Sequence, residues 1–371
     1  MLHRFLPKLA LLVFGSLLGL GVLEFAVRRF LNVYECRPER GWGYIPNKTG
    51  QKVTRSGEFN HPLPINGLGM HDVERTFARA PGVFRVLIVG DSFTAASHVP
   101  LADTFAQVAE RALAAQTLPG RRIEAWNAGV DGYGTPQEAA WLEELLPKVK
   151  PDLVLLGFFG SNDFDDTDAI LGNGNHYLAH RCSRPYFVAD AAGVHRDAAA
   201  EARIGAAVPW QRRWFGHSLL WSTLLDGADR SMAERFDTNA VFRPVWTARL
   251  TGARLAVAGL VGQMRDRVRA AGVPFAALYL PASPETRSGG LKPPAFDRTQ
   301  LSRRALAMFR EVGVETFDLL PVLDAAIARG AAPYWRTDSH WNQVGNAVVG
   351  EALAQWLTGK CHAFGLPVRC D

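Results

Sequence analysis

Ser92, Asp338 and His340 are three residues whose types could together perform nucleophilic catalysis. A serine hydroxyl becomes a nucleophile when a histidine takes its proton and a carboxylate orients that histidine. Asp338 and His340 are two residues apart, and in extended backbone their side chains would leave the same side of the chain. We therefore expect the carboxylate to hold one ring nitrogen of His340 while the other nitrogen faces Ser92. The chemistry predicted is attack on an ester through an acyl-serine.

An ester under attack develops a negatively charged oxygen, which needs hydrogen-bond donors already in place. The backbone N–H groups of Ser92 and Gly129 and the side-chain amide of Asn162 are three such donors. A glycine at 129 would let a substrate approach the backbone closely. We therefore predict an oxyanion hole made by Ser92, Gly129 and Asn162. Asp163 is the next candidate for the triad acid if Asp338 does not act.

These residues follow or flank apolar runs that have the composition of buried strands. The predicted strands are 84–90, 122–128, 151–160, 273–281 and 314–320. Helical patterns lie between or after them, at 101–117, 135–147, 250–271, 299–312 and 345–358. This alternation predicts an α/β fold with a three-layer, doubly wound parallel sheet. Ligands bind such sheets at the carboxyl ends of the strands, where the polar residues occur.

The chain divides into four predicted parts. Residues 1–30 are a short cytoplasmic stub and a transmembrane anchor, and 31–81 are a lead-in of turns and short extended pieces, rich in Gly, Pro and Asn. Residues 82–360 are the catalytic domain, with an insertion at about 165–248, and 361–371 are a tail. The insertion carries four tryptophans, which could be ordinary core or a carbohydrate platform.

The N-terminal anchor is predicted from the run Leu9 to Val27, in which Glu24 is the only charge. Nineteen helical residues span about 28 Å, close to the hydrocarbon core of a membrane. No small-x-small cleavage site follows, so an uncleaved anchor is favoured over a cleaved signal peptide. We expect a single pass through the inner membrane, with the catalytic domain in the periplasm.

The charge and the cysteines agree with export. Residues 1–60 hold nine Lys or Arg against four acids, so the whole net charge of +5 lies beside the membrane, and nucleic acid is not expected as a partner. All four cysteines follow the apolar run, where disulfides could persist. A local bridge from Cys361 to Cys370 is plausible, which leaves Cys36 for Cys182 by elimination. Four unpaired thiols are the alternative.

The sequence lacks the signature motifs of several other enzyme classes. The chain has no G-x-S-x-G around Ser92 and no phosphate-binding G-x-x-x-x-G-K-[ST] loop. His176 and His180 have the spacing of a zinc pair, but no neighbouring cysteine or glutamate completes a site. We therefore predict neither a metal nor a cofactor.

Four motifs together resemble the SGNH/GDSL hydrolase superfamily: Gly90-Asp-Ser-Phe93, Asn127-Ala-Gly129, Gly160-Ser-Asn-Asp163 and Asp338-Ser-His340. The resemblance covers about residues 82–358 without the insertion, and it implies a flavodoxin-like fold. It also implies the roles assigned above: Ser92 as nucleophile, His340 as base, Asp338 as orienting acid, and Gly129 and Asn162 as oxyanion donors. Many members place an aspartate three residues before the histidine, where this chain has Thr337. The D-x-H-W form that ends at Trp341 is similar instead to membrane-associated polysaccharide O-acetyltransferases, such as the alginate ones.

Three functions follow as expectations. The first is a serine esterase or deacetylase outside the cytoplasm, acting on an acyl ester of a glycan or lipid. The second is an O-acetyltransferase that uses the same acyl-enzyme, with a sugar hydroxyl replacing water and a membrane partner delivering the acyl group. The third is a non-catalytic glycan-binding protein, against which the complete set of site residues speaks.

Overall fold

The architecture comes from a computed structural model, which describes residues 2–54, 56–172, 182, 184–207, 218, 240–287 and 297–370. The chain begins with helix α1 (Leu2–Ala26), which continues as one wider turn to Leu31. Residues Pro7–Arg29 are apolar and long enough to cross a membrane, and none of the most apolar stretch is buried against the rest of the protein. Such a helix fits either a membrane anchor or a signal sequence.

The centre of the molecule is a five-stranded parallel sheet. Its strands are β5 (Val83–Gly90), β6 (Arg122–Gly129), β7 (Leu153–Phe158), β10 (Phe275–Tyr279) and β11 (Glu315–Asp318). They lie in the order β11-β10-β7-β5-β6. Counted within the sheet alone this is the flavodoxin-like order 2-1-3-4-5, whose ligand site lies where the order reverses. That point is the gap between the ends of β5 and β7.

Helices cover both faces of the sheet, which confirms the three-layer α/β prediction. One face packs against α4 (Thr135–Val149), α7 (Ala248–Ala270) and α8 (Gln300–Glu311). The other packs against α3 (Phe105–Ala114), α9 (Leu320–Ala328) and α10 (Gln343–Gly359). Because both faces are covered, all eight residues of β5 are buried, although this strand includes Arg85. Of these helices, α9 lies outside the helical patterns predicted from the sequence.

Two short turns of helix begin at the sheet's carboxyl edge and carry site residues. They are α2 (Ser92–Ala95), which follows β5, and α5 (Gly160–Asp163), which follows β7. The predicted strands 151–160 and 273–281 are therefore too long, because their final residues leave the sheet. A last short helix, α11 (Cys361–Phe364), ends the chain's regular structure.

The lead-in before the sheet forms two antiparallel hairpins. They pair β1 (Tyr34–Arg37) with β2 (Gly41–Tyr44) and β3 (Thr49–Val53) with β4 (Asn60–Pro64). Their anchor to the domain is Asp131, which accepts hydrogen bonds from Tyr34 and Lys52. Burial alone would raise the pKa of Asp131, but the Lys52 ammonium and these hydrogen bonds lower it below its usual value.

Both disulfides have the expected partners. Cys36 in β1 is bonded to Cys182, and Cys361 is bonded to Cys370. The first bridge closes a loop of 146 residues and ties the lead-in to the inserted region. A long closed loop restricts the unfolded chain most, so this bridge should contribute more stability than the local one.

The predicted insertion is described only in part. A hairpin of β8 (Phe187–Asp190) with β9 (Gly193–Arg196), and helix α6 (Ala198–Ala207), lie beside the sheet without joining it. Trp246 packs edge-on against Phe164, and its ring N–H donates to a backbone carbonyl, which fits ordinary core. The other insertion tryptophans, Trp210, Trp214 and Trp221, lie outside the described residues, as do His176 and His180.

Candidate active site

The structure brings Ser92, His340 and Asp338 into one hydrogen-bonded line. Ser92 Oγ lies 2.9 Å from His340 Nε2, and His340 Nδ1 lies 2.7 Å from Asp338 Oδ1. When Nδ1 carries the proton that it donates to the carboxylate, Nε2 has a free lone pair and accepts from the serine hydroxyl. All three side chains are half-buried at the sheet's carboxyl edge. The arrangement can therefore move a proton from Ser92 to His340 without rearrangement.

The Asp338–His340 pair reaches this geometry by a different backbone from the expected one. Residues 336–338 form a turn, and Ser339 has a φ of +72°, so the segment is not extended. The predicted contact is present, but the predicted extended backbone was wrong. Ser339, in the left-handed region between the two residues, brings their side chains together instead. The Asp338 carboxylate also accepts from the His340 backbone N–H at 3.4 Å, which closes this small loop.

Glu58, in the connection from β3 to β4, holds the same loop from outside. Its carboxylate accepts from the backbone N–H groups of Arg336, Thr337 and Asp338, at 2.8 to 3.2 Å. The Thr337 hydroxyl also donates to it. This hydrogen bond lowers the pKa of Glu58 from its usual value more than any of its other hydrogen bonds does. Thr337, which stands where many relatives have an aspartate, therefore serves to anchor the loop.

The oxyanion side of the site is built from the ends of β5, β6 and β7. Within the described part of the chain, the Ser92 backbone N–H has no acceptor and is available to a substrate oxygen. The Gly129 N–H instead donates to the side-chain oxygen of Asn127 at 3.1 Å. Glycine is required at 129 for packing, since a Cβ there would lie 2.1 Å from the backbone nitrogen of Ala95. The sequence predicted a glycine at 129 so that a substrate could approach the backbone closely. The structure shows instead that the residue approaching it closely belongs to α2.

Asn162 lies beside Ser92, but both N–H bonds of its amide already have acceptors. They donate to Asp91 Oδ2 and to the Tyr133 carbonyl, each at 3.1 Å. The amide oxygen is buried and has no partner among the described residues. Asn162 can therefore donate to an oxyanion only by sharing or releasing one of these hydrogen bonds.

Buried carboxyl groups lie behind Asn162. Burial raises the pKa of Asp91 to about 7, against the opposing effects of His340 and of hydrogen bonds from Phe93 and Asn162. Burial and the neighbouring acids also raise the pKa of Glu138 and of Asp163 well above the usual range. Asp163 accepts hydrogen bonds from Thr135 and from the Phe159 N–H, which places its carboxylate in this network. Asp163 therefore bonds groups other than His340, whereas Asp338, the predicted triad acid, bonds His340 directly.

Sequence reasoning missed two residues of the site, Glu58 and His98. Glu58 is 280 positions from Asp338, and no local pattern marks it. His98 lies on the ring of His340 and follows the motif that contains Ser92 by only a few residues. Its proximity to that motif was the one signal available.

A cavity of about 820 Å³ lies elsewhere, between α4, α7 and the β8–β9 hairpin. Its lining includes Glu143, Met264 and Arg267, and none of the predicted site residues. The candidate triad lies outside this cavity, at the carboxyl edge of the sheet. Volume alone therefore does not identify the site in this molecule, whereas the convergence of serine, histidine and carboxylate does.

Comparison with protein families supports the resemblance read from the motifs. Residues 248–367 match the family described as "SGNH hydrolase-like domain, acetyltransferase AlgX". This segment runs from α7 through α11 and contains Asp338 and His340, whereas Ser92, Gly129 and Asn162 precede it. For this segment the match supports the predicted SGNH hydrolase-like domain, and an enzyme that acts on esters as a hydrolase or an acetyltransferase. A comparison with curated protein sequences finds no match.

Solved structures that match this chain include three at low identity, each with a TM-score below 0.5. TesA is 15% identical with a TM-score of 0.39, over 74% of this chain and 97% of that one. The lipase/acylhydrolase from Enterococcus faecalis is 15% identical with a TM-score of 0.39, over 78% and 98%. The acetyl xylan esterase AlAXEase is 12% identical with a TM-score of 0.40, over 74% and 98%.

Proposed function

We propose that this chain is a serine esterase or deacetylase that cleaves acyl esters outside the cytoplasm through an acyl-serine at Ser92. The observation that carries the proposal is the unbroken line from Ser92 Oγ through His340 to Asp338, with separations of 2.9 and 2.7 Å. Such a line is what proton transfer from a serine nucleophile requires.

The steps follow from the positions of the residues. As the bond from Ser92 Oγ to the ester carbon forms, the hydroxyl proton passes to His340 Nε2, and Asp338 holds the imidazolium that results. The Ser92 N–H and, after release of a hydrogen bond, the Asn162 amide donate to the carbonyl oxygen as it becomes negative. His340 returns the proton to the leaving alkoxide, and a water molecule then attacks the acyl-serine with His340 again as base.

O-acetyl transfer is the second candidate, and the match of residues 248–367 to an acetyltransferase domain favours it. The acyl-serine is the same, but a sugar hydroxyl takes the place of water. An acyl donor must then reach Ser92 outside the cytoplasm, so a membrane partner that delivers it belongs to this proposal. The apolar exposed helix Pro7–Arg29 would keep the two proteins in one membrane.

The location is also a proposal. Two disulfides and an N-terminal apolar helix together favour a domain exported across the inner membrane and anchored there. An alkaline phosphatase fused to the C-terminus should be active, since that enzyme needs an oxidising compartment. If the alkaline phosphatase fusion is inactive and a reporter that works only in the cytoplasm is active at the same position, this placement is overturned.

A fluorophosphonate probe tests the nucleophile, and labelled acetyl esters test the reaction. The wild-type protein should gain one probe adduct on Ser92 by mass spectrometry, and Ser92→Ala should gain none. Ser161→Ala, which removes a nearby serine outside the triad, is the matched control and should label normally. Labelling of Ser92→Ala to the wild-type extent would reject Ser92 as nucleophile.

A second arm separates the two candidate reactions. The purified protein is given an acetyl ester with and without soluble polysaccharide acceptors, and free acetate and acetylated glycan are both measured. Acetate as the main product in both conditions supports the esterase. Transfer to the glycan at the expense of acetate supports the acetyltransferase.

A further inference from the structure

The imidazole of His340 lies between two other rings. The ring of His98 is nearly parallel to it, with centroids 3.7 Å apart and an angle of 13° between the planes. The ring of Phe93 lies on it with centroids 4.7 Å apart and an angle of 33°. Rings whose centroids lie 3.7 and 4.7 Å from the same imidazole would overlap each other if they shared one face. They therefore lie on opposite faces and enclose the base.

His98 reaches this position because it is buried on the hairpin side of the site. Its side chain is 5% exposed, and its ring packs edge-on against Phe59 with centroids 5.5 Å apart. Its Nδ1 is buried without a partner in the described part of the chain, and its Nε2 lies 3.9 Å from Asp338 Oδ1. That separation is too long for a hydrogen bond, so the firm contact of His98 is its stacked ring.

The ring of His98 is neutral. Burial lowers the pKa of His98 well below its usual range, and nearby basic groups add to this effect: His340, Lys52, His61 and His71. Among the described residues, the acid paired with it is Asp338, whose carboxylate is committed to His340. A neutral ring can stack on His340 in both of its protonation states without repelling the charged one.

Metal binding is the competing explanation, because donor atoms of His98, Asp338 and His340 lie within 4.8 Å of one another. The ring geometry argues against it. Ring lone pairs lie in the plane of each imidazole, so in two nearly parallel rings they run side by side and do not converge on one ion. Both nitrogens of His340 also have partners already, Ser92 and Asp338.

We propose that His98 is a positioning residue for the catalytic base. Its ring face holds His340 in the plane that joins Ser92 to Asp338, and it stabilises the imidazolium that forms when the Ser92 proton arrives. This inference rests on the proposed function, since it concerns the same proton transfer. His98 itself gains and loses no proton in it. The contact resembles the stacking of a cation on an aromatic face, which strengthens as the charge develops.

Three variants test the proposal: His98→Leu removes the ring, His98→Phe keeps a ring face without nitrogens, and His61→Leu is the matched control. His61 packs against the same Phe59 but is not stacked on His340. His98→Leu should lower kcat by about three- to tenfold with KM unchanged, since the lost stacking acts chiefly in the transition state. His98→Phe should restore most of the rate, and His61→Leu should keep it.

The pH–rate profile supplies a readout that a purely structural role would not move. In His98→Leu the acidic limb should shift to lower pH, because the protonated base has lost a favourable neighbour, whereas His98→Phe should keep the wild-type limb. Each rate is divided by the fraction of protein that a fluorophosphonate labels at saturation, so misfolded molecules are not counted.

Two results would overturn the proposal. One is wild-type kcat and pH dependence in His98→Leu, and the other is equal impairment of His98→Phe and His98→Leu. Failure of the proposed function looks different: Ser92→Ala would then keep turnover, whatever the His98 variants do.

Discussion

The two halves of the site differ in how ready they are for the reaction. On the side of the base, Ser92, His340 and Asp338 are already joined by hydrogen bonds of 2.9 and 2.7 Å. On the oxyanion side, the Gly129 N–H and both N–H bonds of Asn162 are joined to acceptors of the protein itself. The proposed proton-transfer half is thus preorganised, whereas in the proposed charge-stabilising half the Ser92 N–H is available but Gly129 and Asn162 would have to give up a hydrogen bond.

The difference has a structural origin. Two groups from outside the sheet contact the base and its loop. Glu58, in the hairpin of β3 with β4, accepts hydrogen bonds from the backbone of the Asp338 loop, and the ring of His98 stacks on His340. The oxyanion donors come from strand ends, where Asn162 meets the buried Asp91. With a pKa of about 7, Asp91 is partly protonated near neutral pH, and a neutral carboxyl accepts hydrogen bonds less strongly than a carboxylate. That weakness would let Asn162 release its bond to a developing oxyanion.

Asp338→Asn should have the largest effect, because it breaks the half that is already assembled. An amide at this position can hold the wrong tautomer of the base, and in the best-studied Ser-His-Asp triad the same change lowers kcat by about 10⁴-fold. The acidic limb of the pH–rate profile should also move to lower pH, since a neighbouring carboxylate favours the protonated base. Steady-state kinetics between acidic and neutral pH measure both effects.

Asp163→Asn is the matched control for that change. Asp163 is a buried carboxyl that bonds Thr135 and Phe159, and its raised pKa keeps it largely neutral, so the amide should retain most of the activity. Thermal unfolding of both variants confirms that they are folded. If Asp338→Asn keeps the wild-type rate while Asp163→Asn loses it, the assignment of the triad acid is reversed.

Asn162→Ala should have the second largest effect and tests the other half. Removing one oxyanion donor costs about 10²–10³ in kcat, or roughly 2.7–4 kcal/mol, because the bond matters most in the transition state. KM should change little and the acidic limb should stay in place. A fall in kcat of less than about threefold would mean that the amide stays with Asp91 and Tyr133 throughout, and that the Ser92 N–H acts without it.

Glu58→Gln should have the smallest effect, about two- to fivefold in kcat, the scale expected of a solvent-exposed charged contact. An amide offers one acceptor oxygen where the carboxylate has two, so the loop of Asp338 is held less firmly. The pKa of Glu58 is lowered from 4.5 in the folded protein. The contribution of its carboxylate to holding the loop of Asp338 is therefore fully present above pH 4.5 and is lost as the pH falls through the folded pKa. The gap between the two proteins should therefore close below pH 4.5.

Glu74→Gln is the control for this comparison. Glu74 accepts from the Gly67 N–H in the same lead-in, but among the described residues it makes no hydrogen bond or ion pair with the loop of Asp338. It should keep the wild-type rate at every pH. Equal rates for Glu58→Gln and the wild type at neutral pH would remove Glu58 from the positioning of the triad.

The sequence alone determined the fold class and predicted which residues could form the triad, for a local reason. Apolar runs such as 84–90 can only be buried strands in a sheet covered on both faces, and the residues that follow such strands must meet at one edge. The type and order of Ser92, Asn162, Asp338 and His340 therefore predicted which side chains come together. The structure agrees with that placement, whereas the catalytic roles remain proposals.

Tertiary structure decided what surrounds those residues. Which N–H groups are free depends on acceptors that come from other segments of the chain, as with Asp91 and Tyr133 for Asn162, and no spacing along the chain encodes this. The lead-in predicted as turns and extended pieces became two hairpins, because Asp131 and a disulfide hold it on the domain. Glu58 reaches the loop of Asp338 from there, across 280 positions of sequence, and His98 reaches the ring of His340 from the turn after α2. Contacts of that range are set by how layers pack together, so they become visible only once the chain has folded.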